Sequence, residues 1–294
     1  VGAADIESET AVELEIAAVR TPMDVQPENR MTLTTRSPAG DVMDTTSEVF
    51  SVATTAGSLS GTTSFVPSVR TPGVVSVHTL NYTATGRVQV NGSIVMQLYA
   101  DDWEMPEAPI VTIVGMPEAP QVPSSWVSAT RTLTLTTVVE AESGTQWAFD
   151  VAGVRTPSDV QGASLLSLTT RSPAGGVIDV DAAVPVSSIT AGVLQGPFSY
   201  TPSVVTPGIF SVHTLDFVTT GRLQSNARIV VQLPVNEGWE MASTPFAAFA
   251  IPGGVGTVSA TWNVTTRTLD LRKVGGSDIK SGTTVRLTGS AVRT

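Results

Sequence analysis

The sequence predicts an all-β protein of two tandem antiparallel immunoglobulin-like β-sandwiches. Three observations lead there: the chain is written twice, its apolar residues alternate with a period of two, and no window carries helical spacing. Val19-Arg20-Thr21-Pro22 returns as Val154-Arg155-Thr156-Pro157, Leu33–Gly40 as Leu168–Gly175, and Ser76–Leu80 as Ser211–Leu215, all at one constant offset. Trp103-Glu104-Met105 returns as Trp239-Glu240-Met241, and Trp126 as Trp262, at an offset greater by a single position. In a chain of 294 residues, a period just under half the length implies two domains of ordinary size, each able to enclose its own core.

Strand signals follow one another at short intervals, separated by Pro, Gly, Asn and Asp. Residues 75–83 (VSVHTLNYT), 93–98 (SIVMQL), 132–139 (TLTLTTVV) and 228–233 (RIVVQL) are rich in β-branched types. About seven to nine such strands per copy make an antiparallel sandwich the economical architecture. Residues 105–123 are too proline-rich to be a central strand throughout, because proline donates no ladder bond.

One strand is written three times. Aligned on Val-Arg-Thr, its apolar face carries Val12, Leu14, Ile16 and Ala18, then Trp147, Phe149, Val151 and Gly153, then Val285, Leu287, Gly289 and Ala291. The opposite face is mostly polar, and the phase is the same each time. Two sandwiches need two such strands. If the strand closes a domain, residues 10–18 belong to a predecessor; if it opens one, residues 283–291 belong to a successor. We therefore divide the chain into residues 1–18, a strand that pairs with a neighbouring domain or subunit, residues 19–153 as the first sandwich, and residues 154–294 as the second. A half-buried strand without a partner is a template for association. Val12, Leu14, Ile16, Val285 and Leu287 are the expected assembly-strand residues.

Composition excludes several function classes. The formal charge is −10 and Lys273 and Lys280 are the only lysines, which argues against nucleic acid and anionic membrane surfaces as partners. No apolar run approaches the roughly 18 residues of a membrane helix, so membrane insertion is not expected. Without cysteine there is no disulfide, thiolate metal site or thiol chemistry. Crosslinks between lysine and asparagine are excluded in the first copy, which has no lysine. Val1 in place of methionine and the lack of a signal peptide imply a processed or excised segment.

No constellation of side chains supports catalysis, a metal or a cofactor. His78 and His213 are the only histidines, one per copy, and read as structural strand residues. Asp101, Asp102 and Glu104 cluster in the first copy, but only Glu104 keeps its carboxylate in the second, as Glu240; a glycosidase pair is therefore not expected. Asp179-Val180-Asp181 has Asp44 alone in register and reads as turn chemistry rather than a calcium site. Nucleotide-binding and nucleophile-elbow motifs are absent. Three acceptor sequons, at Asn81, Asn91 and Asn263, fit covalent glycans on a secreted surface. Trp126 and Trp262 stand at strand entries and read as core rather than as sugar-stacking rings.

The Thr71-Pro72-Gly73 and Thr206-Pro207-Gly208 turns, the Gln232-Leu233-Pro234 strand ending and the Thr/Ser-rich strands resemble immunoglobulin-like sandwich repeats. Such repeats fill large extracellular surface and fibre proteins of microbes and algae. The Cys…Trp…Cys hallmark of true immunoglobulin domains is missing. The resemblance implies an extracellular surface or fibre protein; with the spare third strand, the reading is a non-enzymatic structural protein whose partners are copies of itself or adjacent repeats, joined head to tail through terminal strands. A glycan-binding or adhesive module on a cell-surface stalk is the alternative.

Overall fold

A computed structural model describes residues 9–293 apart from 117, 119 and 235–237, and all its regular structure is β-strand. The fold is all-β, as the alternation of apolar residues dictates. The chain first forms a detached hairpin, β1 (Asn29–Arg36) and β2 (Val42–Ser51). Then come β3 (Ser60–Pro67), β4 (Val75–Thr83), β5 (Ser93–Leu98), β6 (Val111–Ile113), β7 (Ser124–Val127), β8 (Thr132–Thr136) and β9 (Gln146–Arg155). A second hairpin follows, β10 (Ser164–Arg171) and β11 (Val177–Val186).

Strands β3 to β11 make the first sandwich. One layer runs β6-β9-β4-β3 and the other β11-β10-β5-β8-β7; the single parallel pair Val186↔Phe65 links the layers into one nine-stranded ladder. Alternation decides what faces inward: Ile94, Met96 and Leu98 of β5 are buried while Ser93, Val95 and Gln97 are not. They meet Leu80 and Tyr82 of β4, Phe149 and Val151 of β9, and Leu166 and Leu168 of β10 in one core. Burying such side chains stabilises by roughly 1.5–3 kcal/mol each before entropy is counted.

The second sandwich repeats this plan. Its strands are β12 (Gln195–Pro202), β13 (Phe210–Val218), β14 (Arg228–Gln232), β15 (Glu240–Met241), β16 (Ala247–Ile251), β17 (Thr257–Asn263), β18 (Thr268–Val274) and β19 (Thr284–Arg293). One layer is β12-β13-β19 with β15 and β16 on β19; the other is β14-β18-β17. Turn chemistry is repeated too: Asn91 and Asn226 take φ of +66° and +69°, a region that asparagine tolerates.

Two pairings bear on the domain limits. The division expected after Gly153 runs through β9, and residues 164–186 lie in the ladder of the first sandwich rather than the second. Two of the three copies of the repeated strand, β9 and β19, hold equivalent places against β4 and β13, so there the strand closes a sandwich. Its first copy, residues 10–18, forms no strand, and residues 1–8 lie outside the described part of the chain.

Candidate assembly site

The detached hairpin is a twin of β10–β11. β1 pairs with β2 through Asn29↔Ser51, Leu33↔Thr46 and Arg36↔Val42; β10 pairs with β11 through Ser164↔Val186, Leu168↔Asp181 and Arg171↔Val177. Every pair, and both β-bulges, recur at equivalent positions of the second hairpin, because the shared Leu-Thr-Thr-Arg-Ser-Pro-Ala-Gly segment builds the same turn. In both, the arginine guanidinium donates to the turn glycine's carbonyl oxygen, Arg36 to Gly40 at 2.9 Å and Arg171 to Gly175 at 3.0 Å.

Their surroundings are opposite. β10 lies against β5, with Leu168↔Met96 and Thr170↔Ile94, and Leu166 and Leu168 are fully buried. The twins Met31 and Leu33 are 48% and 55% exposed, because among the described residues no strand outside the hairpin pairs with β1 or β2. Asp179, also fully buried, accepts hydrogen bonds from the Gly86 N–H at 3.0 Å and from Thr170 Oγ1 at 3.1 Å, and contacts Thr85 Oγ1. Its twin Asp44 accepts from Thr35 Oγ1, at 2.8 Å, in an exposed setting.

The second sandwich shows the complementary gap. The edge of β14 that corresponds to the β10-bearing edge of β5 has no neighbouring strand among the described residues, and neither does the outer edge of β12. Phe65, Leu80, Ile94 and Met96 are fully buried in the first sandwich, whereas Tyr200, Leu215, Ile229 and Val231, which hold their places, are only partly buried. Leu59 packs against the first core, while its counterpart Leu194 is 49% exposed, and Phe198 on β12 is 61% exposed. One sandwich has its hairpin; the other has an apolar groove where a hairpin would lie.

A second site is the joint between sandwiches. The Arg222 guanidinium donates to Asp278 at 2.7 Å and to Glu104 of the first sandwich at 3.2 Å, and Glu104 also takes Arg155 at 2.6 Å. Gln224 Nε2 donates to Ser158 Oγ at 2.6 Å. Gly73, at φ +69°, packs so closely on Arg222 that a Cβ there would stand 2.7 Å from the arginine Cβ. This joint is half written at each far end of the pair. Arg87 is held by Glu140 as Arg222 is by Asp278, and borders an open cleft of about 370 Å³ lined also by Arg20, Thr21, Pro22 and Asp24. At the other end Arg293 donates to Glu240 Oε2 at 2.9 Å, as Arg155 does to Glu104, and Gly208 repeats Gly73 at φ +78°.

The structure brings the sequence-derived residues together only in part. Val285 and Leu287 lie in the core of the second sandwich on β19, between β13 and β16, where they close a domain. Val12, Leu14 and Ile16 are 55–75% exposed on irregular chain, and the place that their strand would take beside β13 is filled by β19. The β1–β2 hairpin was missed as a site because its repetition reads as ordinary domain duplication until pairing partners are known. Asn91 and Asn263 are exposed at or beside turns, and Asn81 is half-buried on β4, its amide donating to Ser64 Oγ at 3.4 Å.

The histidines are equivalent core residues. His78 lies 5.1 Å from the Phe65 ring and 5.4 Å from Trp103; His213 lies 5.1 Å from Tyr200 and 5.7 Å from Trp239. Burial pushes the His78 imidazole down to about 4, opposed only in part by the backbone of Ser76, and shifts His213 in the same direction. Both are thus held neutral and apolar. Among the described residues no cluster of His, Cys, Asp or Glu could hold a metal ion, and no helix is long and apolar enough to cross a membrane.

No family model and no curated protein matches the chain. Among solved structures, it is similar to the type II cohesin dyad from the adaptor ScaA scaffoldin of Acetivibrio cellulolyticus, at 13% identity and TM-score 0.23 over 80% of this chain and 85% of that one. A serine-rich repeat adhesion glycoprotein of Streptococcus agalactiae matches at 10% identity and TM-score 0.27, over 79% of this chain and 88% of that one. The C-terminal fragment of the major pilin GBS80 of Streptococcus agalactiae matches at 12% identity and TM-score 0.27, over 80% and 78%. At these scores the likenesses assign no ligand and no activity.

Proposed function

We propose that the chain is a non-enzymatic structural module of an extracellular surface fibre, extended head to tail by a joint of the kind that links its own two sandwiches. The observation that carries this reading is the half-written joint at each far end. Arg87 and its cleft stand at one end, in the place of Arg222; Glu240 and the Thr206-Pro207-Gly208 turn stand at the other, in the place of Glu104 and Thr71-Pro72-Gly73. One interface rule applied repeatedly gives a filament wherever its rotation does not close a ring. Asn91 and Asn263 are the accessible acceptors for covalent glycans, with Asn81 less open. The fold offers durability: two sandwich cores, few lysines and a hydroxyl-rich exterior.

The test is sedimentation and negative-stain imaging of the chain across a concentration series. End-to-end oligomers that weaken in Arg87→Glu and in Glu240→Arg, and recover when the two variants are mixed, are the expected result. Monodisperse single chains at every concentration would overturn the reading. The adhesive alternative requires exposed aromatic platforms for sugar rings. Trp103, Trp126, Trp147 and Trp262 are buried, leaving Trp239 half-exposed beside His213. Glycan-array binding lost in Trp239→Ala but kept in Trp126→Phe would favour that alternative.

A further inference from the structure

We infer that the groove between β12 and β14 is a docking site for the β1–β2 hairpin of a second copy of the chain. This rests on the head-to-tail reading but names an element that the joint alone does not require. The occupant is identified within the molecule itself: the groove's twin in the first sandwich is already filled, by β10–β11, and β1–β2 is the other hairpin with that turn, those bulges and that register.

The transferred register is specific. Leu166↔Leu98, Leu168↔Met96 and Thr170↔Ile94 become Met31, Leu33 and Thr35 of the second copy opposite Leu233, Val231 and Ile229 of the groove. The Ser187 N–H to Phe65 carbonyl bond becomes Val52 N–H to Tyr200 carbonyl. Inward faces match in chemistry except at Ser51, which stands for the buried Val186. Met31, Leu33 and Val49 stand for the buried Leu166, Leu168 and Val184, and exposed Leu194 and Phe198 gain a cover. A one-residue slip would turn Leu33 outward, so the apolar pattern excludes every odd shift of the pairing.

Two places need adjustment. Asp44 would take Thr220 and Gly221 as Asp179 takes Thr85 and Gly86. In the unoccupied groove Thr71 stands against Gly192 beside Thr220, at the site corresponding to the one that Asp179 shares with Gly57 and Thr85, so Thr71 must turn aside. Arg36 falls opposite Arg228, where the filled groove has Arg171 opposite Ser93; Arg228 is already held by Asp270 and Arg36 by the Gly40 carbonyl. The exchange also explains which repeated element is spare. The strand at residues 10–18 has no place to fill, because β19 holds it, whereas the hairpin has one.

The absence of cysteine makes the test clean. Thr34 and Val230 lie on the outward face at paired positions, matching Thr169↔Val95. Single-cysteine variants Thr34→Cys and Val230→Cys, mixed and oxidised, should give a heterodimer at least tenfold faster than the mixture of Arg30→Cys with Val230→Cys, since direct cross-strand neighbours alone approach to about 5 Å. Asp44→Asn should slow that crosslink several-fold while leaving the unfolding midpoint of the dilute chain unchanged. Sedimentation of the same samples separates the failures. End-to-end oligomers without the Thr34–Val230 crosslink would sink the hairpin docking and leave the head-to-tail reading standing; single chains without the crosslink would sink both.

Discussion

Leucine 33 and leucine 168 are the same residue of the same hairpin in opposite surroundings, which makes them a matched pair for measurement. Leu168 is fully buried between β5 and the rest of the first core. Truncation to alanine removes its apolar contacts and leaves a cavity, at a cost of about 2–5 kcal/mol. Leu33 is 55% exposed on a hairpin that pairs with no other described strand, so the same truncation should change the stability of the dilute chain by no more than about 0.5 kcal/mol. Urea unfolding at low chain concentration, with the slope held common to wild type and variants, reads both numbers. At high concentration the order should invert in one respect. Leu33→Ala should weaken self-association by roughly 30-fold or more, because the docked hairpin then loses what Leu168→Ala loses in the first sandwich. If Leu33→Ala destabilises the dilute chain as much as Leu168→Ala does, the hairpin is packed within its own chain, and the account of β1–β2 as a spare element is refuted.

Two further outcomes concern the buried histidine and the joint. His78 has an ordinary value of 6.5 when unfolded and about 4 when folded, so the unfolded chain binds more protons between those limits. Stability is therefore full above about pH 6.5 and falls as the pH drops toward about 4, by about 3 kcal/mol from this group; chemical unfolding of His78→Phe across that window should show a loss smaller by that amount, and an unchanged profile would contradict a neutral core imidazole. Glu104→Gln removes a joint contact whose carboxylate side chain is 53% exposed, so it should loosen the two sandwiches by less than about 1 kcal/mol, read as greater separation of their unfolding transitions.

The fold was legible in the sequence where alternation and repetition agreed. The strand signals at 75–83, 93–98, 132–139 and 228–233 became β4, β5, β8 and β14, and the two-sandwich plan followed from the period. The spacing of the repeats did not reveal that a hairpin at the start of one repeat belongs to the sandwich of the repeat before it. That is a matter of long-range pairing: Leu168 finds Met96 across four intervening strands and their loops, and nothing local to Leu168 names that partner. Buried Asp179 was likewise unreadable, because its partners Thr85 and Gly86 lie 94 and 93 positions away, further than Met96 lies from Leu168.

Open edges decide which of the repeated elements can join one copy to another. A repeated strand needs an open edge on at least one side to act as a connector, and β19 has β13 on one side with β15 and β16 on the other. It is used up. The repeated hairpin has no neighbouring strand among the described residues, and the groove on the second sandwich has the half-buried Tyr200, Leu215, Ile229 and Val231 waiting where their counterparts are fully covered or nearly so. Contiguous exposed apolar faces are rare on chains that stay single. That the two faces in question are the two halves of a pairing already made once, between β10 and β5, is the strongest reason to expect that they meet.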